Sequence, residues 1–310
     1  MTSVLAVVGP TASGKTAFAI ELAERLNTEI VSADSMQFYR GMEIGTAAPT
    51  PDEQARVKHH FVGFLNPDEH FSAGRFQREA RTVVAALNAQ EKVAVVVGGS
   101  GLYVHALIDG LFPGPGKDDP IRARLHAAAQ EGGVPALYAH LQRVDPDYAA
   151  AINPRDLRRI VRALEVYEIS SKPLSVLHRE HREKTQLRDV VQVAFDYPRD
   201  ELYARINART DRIMAEGFLD EVRTLMDQGY ARHLERLRSL GYREMMAYLR
   251  GECAREEAIE LMKRNTRRFA KRQLTWFRAD ARIHWLPTPL GQSWREHTGS
   301  VLAWIDAISA

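Results

Sequence analysis

Val4–Ala23, VLAVVGPTASGKTAFAIELA, decides the fold. The apolar run Val4–Val8 ends in Gly9, and an apolar-periodic stretch expected to be helical follows at Thr16–Leu26. A short apolar run, a glycine loop and then a helix suit a parallel strand buried on both faces. Between strand and helix, GPTASGKT fits G-x-x-x-x-G-K-[ST] without a mismatch, at Gly9, Gly14, Lys15 and Thr16. The glycines let the backbone turn tightly, so successive N–H groups converge on phosphate oxygens. The helix N-terminus adds partial positive charge, Lys15 a mobile full charge and Thr16 a hydroxyl able to ligate Mg2+. The expected diphosphate-binding residues are Gly9, Pro10, Thr11, Ala12, Ser13, Gly14, Lys15 and Thr16. Such a loop also matches by chance in glycine turns, but here it sits between a strand and a helix, as its mechanics require. It does not identify its ligand: ATP is the commonest occupant, so nucleotide binding stands as one reading.

Outward from the loop, strands and helices alternate. Glu29–Ser32 and KVAVVVGGSGLY, Lys92–Tyr103, read as strands, and Phe71–Ala89 between them has helical periodicity. Alternation of this kind predicts an α/β parallel sheet flanked by helices. Proline and glycine break the pattern at GLFPGPGKDDP, Gly110–Pro120. An arginine-rich helical region follows to about Lys184. Strand character returns at Val190–Tyr197, and long helical patterns then run to Trp276. The expected organisation is an α/β core of 1–112 and 190–310, interrupted by a helical insertion at 113–189.

The chain has 310 residues, 45% apolar and 26% charged, a balance that supports a globular core. A net charge of +2 says little about partners, so charge distribution carries the information. The single cysteine, Cys253, cannot form an internal disulfide, which fits a reducing compartment, and it is read as lying in a polar helix. No stretch is long and apolar enough for a membrane span, and the N-terminus lacks the parts of a signal peptide. A cytoplasmic protein is expected. HREH, Lys58-His59-His60 and Cys253 lack the ligand pattern of a zinc site.

Asp34, in IVSADSMQFYRG, falls just past a strand end, where α/β sheets place ligand-binding residues. An acid there can orient, or take a proton from, a group that attacks the bound phosphate compound. It can equally be a helix cap or turn residue. The later strand ends in GGSGLY without the acid that a phosphoryl-transfer enzyme uses to position Mg2+.

Arg155, Arg158, Arg159 and Arg162 follow i, i+3, i+4, i+7 spacing on one helix face, with Leu157, Ile160, Val161 and Leu164 on the apolar side. Only Asp156 offsets the four charges within this stripe, which favours phosphate contact over a solvated face. Met262–Arg278 carries seven basic and no acidic residues. Met262, Phe269 and Trp276, seven apart, read as its core side. Arg205 and Arg209, four apart, face either a diphosphate or solvent.

Six blocks, GPTASGKT, SADSMQFYRGMEIGTA, GGSGLY, INPRDLRRIVRALEVYEISSKP, SLGYREM and AKRQLTWFR, occur in the order seen in tRNA dimethylallyltransferases, and the chain resembles that family from Val4 to about Arg278. The family commonly has threonine where Ser100 stands and lysine where Ala48 stands. The resemblance implies a P-loop kinase-like fold whose loop holds dimethylallyl diphosphate, not ATP. It implies transfer of the dimethylallyl group to N6 of the adenosine on the 3' side of the anticodon, with release of diphosphate. Catalytic roles are then implied for Asp34, Lys15 and Ser100. Asp34 would orient and deprotonate the amine, and Ser100 would help to bind the flipped nucleotide. tRNA contacts are implied for Asp34, Ser35, Met36, Gln37, Ser100, Arg158, Arg159, Ile160, Val161, Arg162, Arg238, Ser239, Leu240, Gly241, Tyr242 and Arg243. Lys271, Arg272 and Gln273 would lie near the diphosphate or the tRNA. The expected partners are dimethylallyl diphosphate with Mg2+ held at Thr16, and a tRNA anticodon stem-loop clamped by the insertion of a monomer. A P-loop kinase or NTPase acting on a small molecule, and a non-catalytic RNA-binding module, are the competing classes.

Overall fold

The computed structural model describes residues 3–112, 114–288 and 295–309. Six strands are present: β1 Val4–Val8, β2 Ile30–Ser32, β3 His59–His60, β4 Ala94–Gly98, β5 Val190–Asp196 and β6 Ile283–Pro287. They form one parallel sheet in the order β3-β2-β4-β1-β5-β6. β3 and β6 are not legible in the sequence. β3 is two half-buried histidines, and β6 is a short edge strand ending at Pro287, so neither shows an apolar run.

The sheet is covered on both faces, as its β-branched runs require. Val4, Ala6 and Val8 of β1 pack into one apolar cluster, and Leu5 and Val7 into another. β4 alternates the same way, with Ala94 and Val96 on one side and Val95 and Val97 on the other. The first face carries the helices Ala73–Asn88, Gly101–Ile108, Phe218–Asp227 and Tyr242–Leu249. The second carries Lys15–Arg25, Arg199–Ala215 and Arg295–Ser309. The long helix Arg255–Arg278 serves both, with Met262 and Phe277 in the first cluster and Ala270 in the second.

Parallel strands end at one edge. Val8 pairs with Gly98 and Ser32 with Val97, so the residues after β1, β2 and β4 emerge side by side. β1, β4 and β2 are adjacent in the sheet but not in chain order, and the crevice outside such carboxyl ends is where α/β sheets bind ligands.

The chain divides into two compact units, Met1–Ile108 with Leu187–Ala310, and Asp109–Gln186. The α/β unit gives up the chain and takes it back at one point, where the Leu187 N–H donates to the Ile108 carbonyl at 2.7 Å. The second unit is helical, with its own core built on Leu125, Leu141, Ile160, Val161 and Leu164. Inside it Glu165, fully buried, accepts bonds from Arg122 at 2.8 and 3.0 Å, Arg162 at 2.7 Å and the Asp118 N–H at 2.8 Å. Burial alone would push this carboxyl up, but those four donors outweigh it and hold it at about 2.

Candidate active site

The phosphate loop closes with Gly14 at the N-cap of the helix Lys15–Arg25. No side chain caps that helix and no acid sits in its first turn, so its leading N–H groups are left for an anion. The Ser13 hydroxyl is fully buried in the loop and meets no hydrogen-bond partner among the described residues. Buried polar atoms rarely stay unsatisfied, and a phosphate oxygen is the acceptor this loop is shaped for.

Lys15 is buried, with Nζ donating to the Pro10 carbonyl at 3.2 Å. Burial pushes its pKa down to about 8, against the pull of Asp34 and reinforced by Arg209. Arg209 and Arg205 both bond to the loop, Arg205 while remaining exposed. Arg209 donates to the Thr11 hydroxyl at 2.8 Å and the Thr46 carbonyl at 3.0 Å. Arg205 donates to the Ala12 carbonyl at 2.9 Å and lies over the Tyr197 ring.

Asp34 stands past β2, within reach of the charges of Lys15 and Arg209, and lines the same cavity. Its Oδ1 also accepts the Met36 N–H at 3.1 Å, so the turn role and the site role coexist in one side chain. Ser100 supports this turn from β4: its hydroxyl accepts the Ser35 N–H at 3.1 Å. Gln37 ties the turn to the far wall through its bond to the Ala47 carbonyl at 3.1 Å. That wall, the short helix Glu43–Thr46, is held by Glu221, which accepts the Ile44 and Gly45 N–H groups at 2.7 and 3.0 Å and the Tyr242 hydroxyl at 2.7 Å.

From the opposite side Gln273 reaches into the site. It accepts the Thr11 N–H and donates to the Gly99 carbonyl at 2.8 Å. Gly99 leaves room for this approach, since a Cβ there would stand 2.3 Å from Gln273 Nε2. Together these groups enclose a cavity of about 350 Å³ wholly within the α/β unit. One part of its lining is Lys15, Thr16, Asp34, Ser100 and Arg209, and another is Val97, Ile206, Ile213, Met262 and Phe269. An apolar group and a polyanion can therefore be held together. Sequence reading missed Glu221 and the apolar wall, because a buried acid and core aliphatics carry no motif.

The remaining expected contacts fall into separate sets. Arg238, Ser239 and Leu240 line the cavity. Arg238 and Arg243 share an adjoining pocket with Arg268 and Arg272. Tyr242 is fully buried and bonded to Glu221, so its side chain is a core residue and not an RNA surface. Gly241 caps the helix Tyr242–Leu249, with the Met262 methyl where a Cβ would lie. The arginine stripe divides in the fold. Ile160 and Val161 are buried in the helical unit's core, and Arg162 is bound to Glu165 and the Pro115 carbonyl. Arg158 and Arg159 are exposed, Arg159 pairing with Asp156. Cys253 sits in the turn before the helix Arg255–Arg278, not within a helix. Trp276 is 43% exposed rather than core, because a seven-residue repeat drifts around a straight helix by about 20° per heptad.

Thr16 is the one hydroxyl the motif offers to a metal. Among the described residues no group of three or more His, Cys, Asp or Glu could hold an ion by itself. The Thr16 hydroxyl would be the protein's ligand to a Mg2+ ion, which with phosphates takes few protein ligands, and the ion would supply charge neutralisation there. No described helix is long and apolar enough to cross a membrane.

Residues 37–280 match the IPP transferase family. A tRNA dimethylallyltransferase of Geobacter sulfurreducens is 48% identical over 288 residues, 93% of each chain. Among solved structures, a full-length tRNA isopentenylpyrophosphate transferase from Bacillus halodurans superposes with a TM-score of 0.73 at 38% identity, over 100% of this chain and 98% of that one. A eukaryotic dimethylallyltransferase acting on tRNA gives a TM-score of 0.79 at 26% identity, over 97% of this chain and 77% of that one.

Proposed function

The chain belongs to the IPP transferase family, and from that membership we propose how its cavity works: it takes dimethylallyl diphosphate and the adenosine on the 3' side of a tRNA anticodon and joins them. The chain is an enzyme, a prenyltransferase that acts on tRNA. The adenine N6 amine attacks the allylic carbon. The bond from that carbon to the diphosphate oxygen breaks, diphosphate leaves with the electron pair, and Asp34 takes the proton from the amine.

One observation carries this reading: Asp34 lines one cavity together with the cations Lys15 and Arg209 and with the apolar side chains of Val97, Ile206, Ile213, Met262 and Phe269. The loop amides, Lys15, Arg209 and the Ser13 hydroxyl stabilise charge that grows on the leaving diphosphate. Val97, Ile206, Ile213, Met262 and Phe269 receive the five-carbon group and exclude water. An exocyclic adenine amine is a poor nucleophile, so holding it against Asp34 and Ser100 supplies much of the rate. Mg2+ at Thr16 would neutralise part of the diphosphate charge. The target base must leave its stack to reach a buried carbon, and the helical unit, with Arg158 exposed, serves as clamp for the anticodon stem-loop. A monomer suffices for all of this, since every group named is on one chain.

The test is incubation with unmodified tRNA, Mg2+ and labelled dimethylallyl diphosphate, with labelled ATP in a parallel reaction. Label should enter RNA only from the prenyl donor. Label from ATP appearing in a product would instead favour a kinase.

A further inference from the structure

Trp276 is a large apolar residue left 43% exposed near the end of the helix Arg255–Arg278. It is not loosely placed. A Cβ at Gly101 would stand 2.3 Å from the indole Cδ1 and Nε1, so this ring edge rests on bare glycine backbone. Gly101 follows Ser100, whose hydroxyl holds the turn beside Asp34. One turn earlier on the long helix, Arg272 and Gln273 line the catalytic cavity. Leu102, 48% exposed, adjoins the same glycine. Beside cavity-lining Ser100 and Arg272 there thus stand an aliphatic residue on the helix Gly101–Ile108 and a fixed aromatic one on a helix whose last seventeen residues bear basic side chains and no acid.

We propose that Trp276 is a stacking platform for a nucleobase of the substrate RNA that flanks the target adenosine. This rests on the tRNA-modifying reading above. Pulling one adenosine into the cavity strips its neighbour of a stacking partner. A flat aromatic surface nearby replaces that partner, and every base can use it because every base has a π-face. Exposed Arg268, Lys271 and Arg272 on the same helix suit the adjoining phosphates. Closeness to the cavity-lining Ser100 and Arg272, together with this charge, selects single-stranded RNA as the occupant.

The experiment measures binding of three anticodon stem-loop RNAs to the full chain and to Trp276→Ala, Trp276→Phe and Trp276→Leu. One RNA is intact, and the others are abasic immediately 5' or 3' of the target adenosine. Trp276→Ala should weaken binding of the intact RNA by roughly five- to a hundredfold, the range for one base–aromatic stack. Trp276→Phe should restore most of it, and Trp276→Leu, which keeps bulk but no π-face, little. With one of the two abasic RNAs the Trp276→Ala loss should vanish. Unchanged binding of the intact RNA, or an equal loss with all three RNAs, overturns the proposal. Dimethylallyl diphosphate binding by each variant reports its folding, and Trp276→Leu carries the test should Trp276→Ala fail to fold. A wild-type chain that labels no tRNA would reject the reaction itself, a result distinct from either outcome.

Discussion

Gln273 is bonded to Thr11: the side-chain carbonyl of one accepts the backbone N–H of the other at 2.9 Å, across 262 residues of chain. The amide end of the same side chain donates to the Gly99 carbonyl, so a single buried residue pins the phosphate loop to the end of β4. Gln273→Ala would leave a part-buried donor and a buried acceptor unpaired, at up to about 1–3 kcal/mol for each such group. Donor KM should rise by roughly tenfold or more, with tRNA binding little changed. Gln273→Glu should be worse than its size suggests, because it loses the bond to Gly99 and brings negative charge to a diphosphate site. Steady-state kinetics with each substrate varied in turn checks both.

Lys15→Ala removes a charge that faces the leaving group, and turnover at saturating donor should fall at least about a hundredfold, the scale of one lost oxyanion donor. Lys15 also sets a pH dependence. In the free protein burial lowers it to about 8, and diphosphate binds its protonated form. Donor affinity should be level between about pH 7 and 8, above the titration of the donor's own terminal phosphate, and fall above 8 by up to about tenfold per pH unit, as binding must take up a proton. Stability runs the other way: with the folded value below 10.5, the unfolded chain binds more protons between about 8 and 10.5, so stability rises with pH across that window. Donor titrations by calorimetry at several pH values read the first effect, and denaturant titrations the second.

Glu165 should matter to folding and not to chemistry. Glu165→Ala leaves Arg122 and Arg162 without their buried partner and should destabilise the helical unit by about 3–5 kcal/mol. Its pKa of about 2 lies below the ordinary 4.5, so its contribution is complete above pH 4.5 and is lost as pH falls through about 2. Thermal melts of wild type and variant should therefore converge toward low pH.

Arg158→Ala with Arg155→Ala should lower the slope of log affinity for tRNA against log salt by up to about 2, one unit for each phosphate that is no longer neutralised. Arg162→Ala should act instead through stability, because its guanidinium is occupied by Glu165 and the Pro115 carbonyl. Salt titrations and melts on the same three proteins separate the two roles.

The parts of this site that were legible in the sequence are those where chemistry constrains residue type over a short span. The phosphate loop needs its glycines, Lys15 and Thr16 at fixed offsets, and Asp34 needs a strand end before it. What could not be read depends on groups far apart in the chain. Glu221, which reaches Ile44, looks in sequence like any polar residue on a helix, and for Arg209 and Gln273, already candidates for the diphosphate, spacing gave no hint of their bonds to Thr11 and Gly99. The arginine stripe shows the converse failure. Spacing placed Arg158 and Arg162 on one face correctly, but only the fold puts buried Glu165 beside Arg162 and gives that charge a structural use. Trp276 misled for a similar reason, since an apolar residue at a repeat position reads as core until a glycine is found under its ring.

The central claim is that Asp34 takes the proton of the attacking amine, and Asp34→Asn tests it most directly. The Met36 N–H bond to Oδ1 can be kept by an asparagine carbonyl, so the turn that positions residue 34 should survive. Pre-bound tRNA and saturating dimethylallyl diphosphate in single-turnover measurements remove binding from the comparison. Both substrates should still bind, and the chemical step should slow by roughly a hundred- to ten-thousandfold, the range for a positioned general base. A wild-type single-turnover rate in Asp34→Asn would contradict the claim and leave Asp34 as a residue of the turn alone.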